Sequence, residues 1–226
     1  MTHRQGPFAV LFDLDGTLVD TAPDLVAALT ALADEHALPL QRAPGQLALL
    51  AGQGGRALIR AGLGAFDEHR EDQLLARFFE LYAAAIWRQS RLYPGIDTVL
   101  ETLAGQGRPM AVVTNKLEYL ARELVQQAGL SHYFGCLIGG DTTAASKPSP
   151  LPLAEACHRL SVTVEQAVMV GDSRADMLAA EAAGMVGVGV SWGYGGHGPE
   201  DSLHDWPVRG IVDRPEGLLD WLKANG

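Results

Sequence analysis

The chain has 226 residues, 27 acidic against 17 basic side chains, a net charge of −10, and 47% hydrophobic and 19% charged residues. That length can bury a substantial core, as one domain with an insertion or as two small ones. The acidic excess argues against nucleic acid or an anionic membrane as the main partner, because both require clustered cations. No segment approaches a membrane span and the N-terminus lacks a secretory pattern, so a cytoplasmic protein is expected. Cys136 and Cys157 are the only cysteines. Without C-x-x-C spacing they read as small buried hydrophobes rather than as a disulfide or metal site.

The first element sets the pattern for the rest. Ala9 to Phe12 is an apolar run that ends in Asp13 and Asp15, and Gly16 then breaks it. It reads as a buried strand that delivers Asp13 to a sheet edge, where ligands of open α/β sheets bind. Period-2 geometry predicts that Asp13 and Asp15 face the same side, able to share a cation or to divide nucleophile and acid–base roles.

Next, Thr21, Pro23 and Asp24 read as a helix start with a cap residue, a first-turn proline and an acid at the positive helix end. Leu25, Leu29 and Leu32 continue at helical spacing, and further helices are predicted near 46–50, 55–61 and 67–89. No convincing strand interrupts this stretch. It predicts a helical cap domain, residues 21–91, inserted into a core made of residues 1–20 and 92–226.

From Tyr93 onward the pattern alternates. Helices are predicted over 96–104, 117–128, 150–160, 175–183 and 217–223, with strands over 110–114, 136–138, 167–170 and 186–190. Strands alternating with helices imply right-handed βαβ units and a doubly wound, Rossmann-like parallel sheet.

The polar residues at these strand ends share a chemistry. Thr114, after the strand at 110–114, offers a hydroxyl that can donate to a phosphoryl oxygen, with Asn115 beside it. Lys147 lies in a proline-rich loop, Ser146-Lys147-Pro148, as a point charge for a phosphoryl oxygen or a carboxylate. Val170-Gly171-Asp172 is a second apolar strand ending in an acid, and Asp176 follows one helical turn later.

Together DLDGTLVDT, VVTNK, SKP and GDSRAD resemble, in order, the motifs of the haloacid dehalogenase superfamily. The resemblance covers nearly the whole chain and implies a phosphatase. Asp13 would attack phosphorus to give an aspartyl-phosphate, while Asp15 protonates the leaving alcohol and later activates water. Mg²⁺ is the implied cofactor, held by Asp13, the Asp15 backbone carbonyl and Asp172, with Asp176 orienting its neighbours or a water. Thr114, Asn115 and Lys147 would bind phosphate. Four carboxylates against one lysine at such a site call for a divalent cation before a phosphate arrives. Asp15 distinguishes the chain from dehalogenase and phosphonate-hydrolase branches, which lack an acid there.

Within the superfamily, VVTNK, SKPSP, GDSRADM and VSWGYG are most similar to the phosphoglycolate phosphatases. The expected substrate is a small phosphate ester, 2-phosphoglycolate first, and the expected assembly a monomer or homodimer. Sugar phosphates, amino-sugar acid phosphates, pyrophosphate or hexose-phosphate isomerisation are the alternatives within the fold. A phospho-acceptor signalling domain or a silent scaffold are the alternatives outside catalysis. Gln53 and Arg56, in the glycine-rich loop at 51–56, are candidate specificity residues, with a solvated arginine the competing reading of Arg56. Gly193-Tyr-Gly195-Gly-His-Gly198 matches a dinucleotide fingerprint only formally, since no apolar helix follows.

Overall fold

The computed structural model describes residues 9–198 and 201–225. The chain divides into two compact units, one drawn from the residues up to Val19 and from Leu92 onward, the other from Asp20–Arg91.

Strand β1 (Ala9–Phe12) is at most 1% exposed along its length. β2 (Val19–Asp20) and β3 (Arg91–Leu92) mark the points where the chain leaves and re-enters the first unit. Between them run α1 (Ala22–Glu35), α2 (Pro44–Ala48), α3 (Gly55–Leu63) and α4 (Glu68–Ala85). This helical unit is organised by the packing of α1 on α4, and Leu25, Leu29 and Leu32 of α1 and Leu74, Phe78 and Tyr82 of α4 are buried.

Asp24 does more there than favour a helix start. It is 1% exposed and accepts hydrogen bonds from the backbone N–H groups of Gln89 and Ser90 at 2.8 and 2.9 Å and from the Ser90 hydroxyl at 2.6 Å. The beginning of the helical unit is thereby tied to its end. The helix expected over 67–89 stops at Ala85 instead, because Ile86 turns extended (ψ 138°) and Trp87 adopts a left-handed φ of 66°. The chain beyond it is drawn onto Asp24.

The first unit continues with α5 (Ile96–Gly105), β4 (Met110–Val113), α6 (Glu118–Gln127), β5 (Cys136–Ile138), α7 (Leu151–Leu160), β6 (Ala167–Gly171), α8 (Arg174–Ala183), β7 (Val186–Val190), β8 (His197–Gly198), β9 (Asp201–Ser202), β10 (Gly210–Val212) and α9 (Pro215–Asn225). Six strands form one sheet in the order β10-β7-β6-β1-β4-β5, with every described pairing parallel. Ala9, Leu11, Ala111, Val113, Ile138 and Met169 pack with Leu153, Ala156, Cys157, Met177 and Ala180 of α7 and α8. The alternate residues Val10, Phe12, Val112 and Val168 are equally buried, as a parallel sheet covered on both faces requires. Cys157 thus serves as a core hydrophobe, and both cysteines are free thiols.

Strand β10 has no counterpart in the sequence reading. It is three residues long, starts with Gly210 and pairs only with β7 at the sheet edge, so it carries neither length nor apolar density as a signal. The central register matters most for function. Phe12 lies opposite Val112 on one side and Val170 on the other, so the chain leaves β1, β4 and β6 at the same sheet edge.

Candidate active site

Three consecutive strands of the sheet end in polar residues. The Asp13 N–H donates to the Val170 carbonyl at 2.9 Å, extending the ladder one residue beyond β1, and the Thr114 N–H likewise donates to the Ile138 carbonyl at 2.9 Å. Asp13 and Thr114 are therefore fixed by backbone pairing, and Asp13, Thr114 and Asp172 are only 8%, 2% and 2% exposed.

Carboxylate oxygens of Asp13, Asp172 and Asp176 lie within 4.8 Å of one another. Lys147 enters this cluster, its ammonium 2.9 Å from Asp13 Oδ1 and 2.6 Å from Asp176 Oδ1, and it also donates to the Val113 carbonyl at 2.6 Å. The Lys147 backbone is held in turn by Asn115, which donates through Nδ2 to the Lys147 carbonyl and accepts from the Lys147 N–H, both at 2.9 Å. Asn115 was expected to bind phosphate; its amide is spent on positioning the lysine loop. The Thr114 hydroxyl accepts from the Lys116 N–H at 3.2 Å and shapes the turn after β4.

Asp172 is held from two directions. Its Oδ1 accepts from the Thr17 hydroxyl at 3.0 Å and its Oδ2 from the Tyr194 N–H at 2.7 Å. Gly16 sits at φ +84°, and a Cβ there, or on Gly193, would run into the Asp172 carboxylate. The glycine-rich run after β7 thus has a structural task the sequence reading missed, to close around Asp172. Asp176 belongs to the capping of α8: its Oδ2 accepts from the Ser173 N–H at 3.0 Å and hydroxyl at 2.7 Å, while Ser173 Oγ accepts from the Asp176 N–H at 3.3 Å. Asp176 thus caps α8 through one oxygen and reaches the acid cluster through the other, which meets Lys147.

Asp15 departs from the period-2 expectation. The strand ends at Phe12, so Asp15 lies in the turn that follows, and its carboxylate accepts from Lys116 at 2.9 and 3.1 Å instead of joining the three-acid cluster. Lys116 was not among the expected site residues. Its signal was present all the same, as a cation directly after Thr114-Asn115 at a strand end.

Electrostatics define what the cluster lacks. Burial, reinforced by Asp176 and Asp172 and opposed by Lys147, pushes the Asp13 carboxyl up to about 8. Burial and Asp176 raise Asp172 to about 6, against the hydrogen bonds from Tyr194 and Thr17. For Lys147 burial disfavours the charge, but Asp13 and Asp176 outweigh it and hold the ammonium above its ordinary range. The cluster is over-supplied with negative charge. Oxygen donors alone, three buried acids converging and two of them driven toward protonation, fit a hard divalent cation.

In the helical unit, Gln53 and Arg56 line a groove of about 720 Å³ together with Arg42 and Arg60. Arg56 is not simply solvated. It donates to Glu71 at 2.8 Å and Asp72 at 2.6 Å, and Arg60 donates to the same buried Glu71 at 2.7 Å. No described helix is long and apolar enough to cross a membrane.

A doubly wound parallel sheet with acids converging at one edge places polar chemistry where ligands of such sheets bind, and the comparisons supply the family. Residues 10–190 match the family described as haloacid dehalogenase-like hydrolase, and the chain belongs to that family. It is 41% identical over 214 residues to a phosphoglycolate phosphatase of Xanthomonas campestris, covering 95% of this chain and 96% of that one. A phosphoglycolate phosphatase of Caulobacter vibrioides is 38% identical over 226 residues, covering 98% and 95%. Among solved structures, a predicted phosphoglycolate phosphatase from Haemophilus somnus superposes with a TM-score of 0.82 at 29% identity, covering 95% of this chain and 97% of that one.

Proposed function

We propose that this protein is a Mg²⁺-dependent phosphomonoester hydrolase with 2-phosphoglycolate as its preferred substrate, acting in the cytoplasm. The observation that carries the reading is Asp13. It is a carboxylate at the end of a central strand, buried, 2.9 Å from the Lys147 ammonium and converging with Asp172 and Asp176. The phosphoglycolate phosphatases that match nearly the full chain support the choice of ester.

In this reading the Asp13 carboxylate attacks phosphorus, and the bond to the leaving alcohol breaks as Asp15 gives that alcohol a proton. The Asp13 acyl-phosphate is then hydrolysed by a water whose proton passes to Asp15. Lys147 and the Thr114 hydroxyl bind phosphoryl oxygens, and Asn115 serves them by holding the lysine loop. Asp172, with Asp13 and the Asp15 carbonyl, would hold Mg²⁺, and Asp176 orients Lys147. When bound, the cation supplies the positive charge that keeps Asp13 ionised at neutral pH and offsets repulsion between carboxylate and phosphate. Residues 20–91 serve as the cap domain of such a hydrolase.

The test is phosphate release from a panel of phosphomonoesters, with Mg²⁺ and with chelator. Metal-dependent turnover with 2-phosphoglycolate as the best substrate is expected. Turnover that is greatest on a sugar phosphate or pyrophosphate would keep the chemistry and replace the substrate, and metal-independent or absent turnover would overturn the assignment.

A further inference from the structure

We propose that Lys116 recognises a negatively charged group on the leaving alcohol, and so sets the preference for esters that carry a carboxylate next to the scissile bond. The inference rests on the phosphatase reading above and adds to it a residue that discriminates among esters.

Lys116 is held from both sides. Its N–H donates to the Thr114 hydroxyl at 3.2 Å and its carbonyl accepts from the Gly140 N–H at 2.8 Å, so the backbone is pinned on both sides of the residue. Gly140 permits this approach, since a Cβ there would meet the Asn115 carbonyl. The lysine side chain is 6% exposed, and its ammonium contacts both oxygens of Asp15. An ammonium so desolvated and so placed is positioned, unlike a surface lysine that samples solvent.

The two lysines of the site divide its charge. Lys147 stands on the Asp13 and Asp176 side, where the phosphoryl group must sit for Asp13 to attack it. Lys116 stands on the side of Asp15, which must reach the ester oxygen to protonate it. A cation in contact with Asp15 therefore lies next to whatever the leaving oxygen carries. In 2-phosphoglycolate that is a single methylene followed by a carboxylate. The charge and the hydrogen-bond donors of an ammonium match that group, and a neutral alcohol offers no equivalent.

The experiment compares kcat/KM for 2-phosphoglycolate and for its neutral analogue 2-hydroxyethyl phosphate in wild type, Lys116→Met and Lys116→Arg, each checked by thermal unfolding in Mg²⁺. Losing one charged hydrogen-bond partner should reduce the ratio of the two specificity constants by about tenfold to a hundredfold in Lys116→Met. Lys116→Arg should recover part of that ratio. Inhibition by free glycolate should weaken in parallel. An equal fall for both esters would show that Lys116 acts only through Asp15 and would overturn the proposal, as would an unchanged ratio. The substrate reading fails separately. If wild type prefers another ester while Lys116→Met still loses selectivity for anionic leaving groups, the lysine assignment stands and 2-phosphoglycolate does not.

Discussion

Replacing Lys147 with alanine should expose the charge balance of the site more directly than any other substitution. The change deletes the ammonium that meets Asp13 at 2.9 Å and Asp176 at 2.6 Å, and strips the Val113 carbonyl of its 2.6 Å donor. Breaking a buried pair by removing one partner costs about 3–5 kcal/mol, because it leaves an uncompensated charge. Here the cost at neutral pH should fall near the lower end, about 3 kcal/mol, since Asp13 already stands at about 8 and can take up a proton instead of remaining charged. Urea unfolding at pH 7 in chelator, followed by circular dichroism, measures this loss. Added Mg²⁺ should stabilise the variant more than wild type, because the vacated cluster is the more negative one. A second substitution, Asp13→Asn, changes one of the two acids that share the ammonium, so the double variant should be less destabilised than the sum of the singles by about 0.5–3 kcal/mol. Turnover should fall by about 10²–10³, the scale of losing one preorganised charge donor at a transition state. Lys147→Ala within about 1 kcal/mol of wild type in chelator, or additive single and double variants, would refute the reasoning.

Other outcomes follow from the same geometry. Asp24→Ala removes three hydrogen bonds from a buried carboxylate and should destabilise the helical unit by about 3 kcal/mol, seen as a lower urea midpoint and faster proteolysis near residues 86–90. Asp13→Asn should abolish phosphate release with its circular dichroism spectrum unchanged; activity near wild type would exclude Asp13 as the nucleophile. The pH dependence of the metal-free protein has a definite sign. Asp13 and Asp172 are raised in the folded state, so between about pH 4 and about 8 the folded chain binds more protons than the unfolded one. Stability in chelator should therefore fall as pH rises through that window, and saturating Mg²⁺ should flatten the decline. A rising curve in chelator would contradict the assigned shifts. Ca²⁺, which takes more oxygen ligands and readily engages carboxylates through both oxygens, should inhibit when it replaces Mg²⁺ in a phosphate-release assay.

The sequence carried the architecture unevenly, for physical reasons. Strands β1, β4 and β6 were plain because a central parallel strand is a short unbroken apolar run, and each ended in the polar residue that marks the sheet edge. Edge strand β10 was not legible, since three residues led by a glycine and paired on one side have no such signature. Helix α4 was read too long because its apolar stripe continues through Ile86, whereas its end is decided by Asp24, more than sixty residues earlier in the chain.

The site was legible in its residues and less so in its contacts. Asp13, Lys147, Asp172 and Asp176 stood out by position, and they come together. Asp15 lies beyond the strand, where its Lys116 partner could not be read from period 2. Asn115, read as a phosphate ligand, also brackets Lys147, because an amide next to a strand end offers the same donors to a loop as to a phosphate. Lys116 and the run around Gly193 to Gly195 were quoted within motifs without a role of their own. Their roles arise from contacts spanning 101 and 22 residues, which local spacing cannot display.

The central claim is that a phosphoryl group resides transiently on Asp13. Wild-type protein mixed with 2-phosphoglycolate and Mg²⁺, quenched within a turnover and reduced with borohydride, would convert an acyl-phosphate into a homoserine that peptide mass spectrometry can locate. The account predicts that conversion at position 13, and its absence in Asp13→Asn. Phosphate release at the wild-type rate with no modified residue at position 13, or with the modification on another acid, would contradict it.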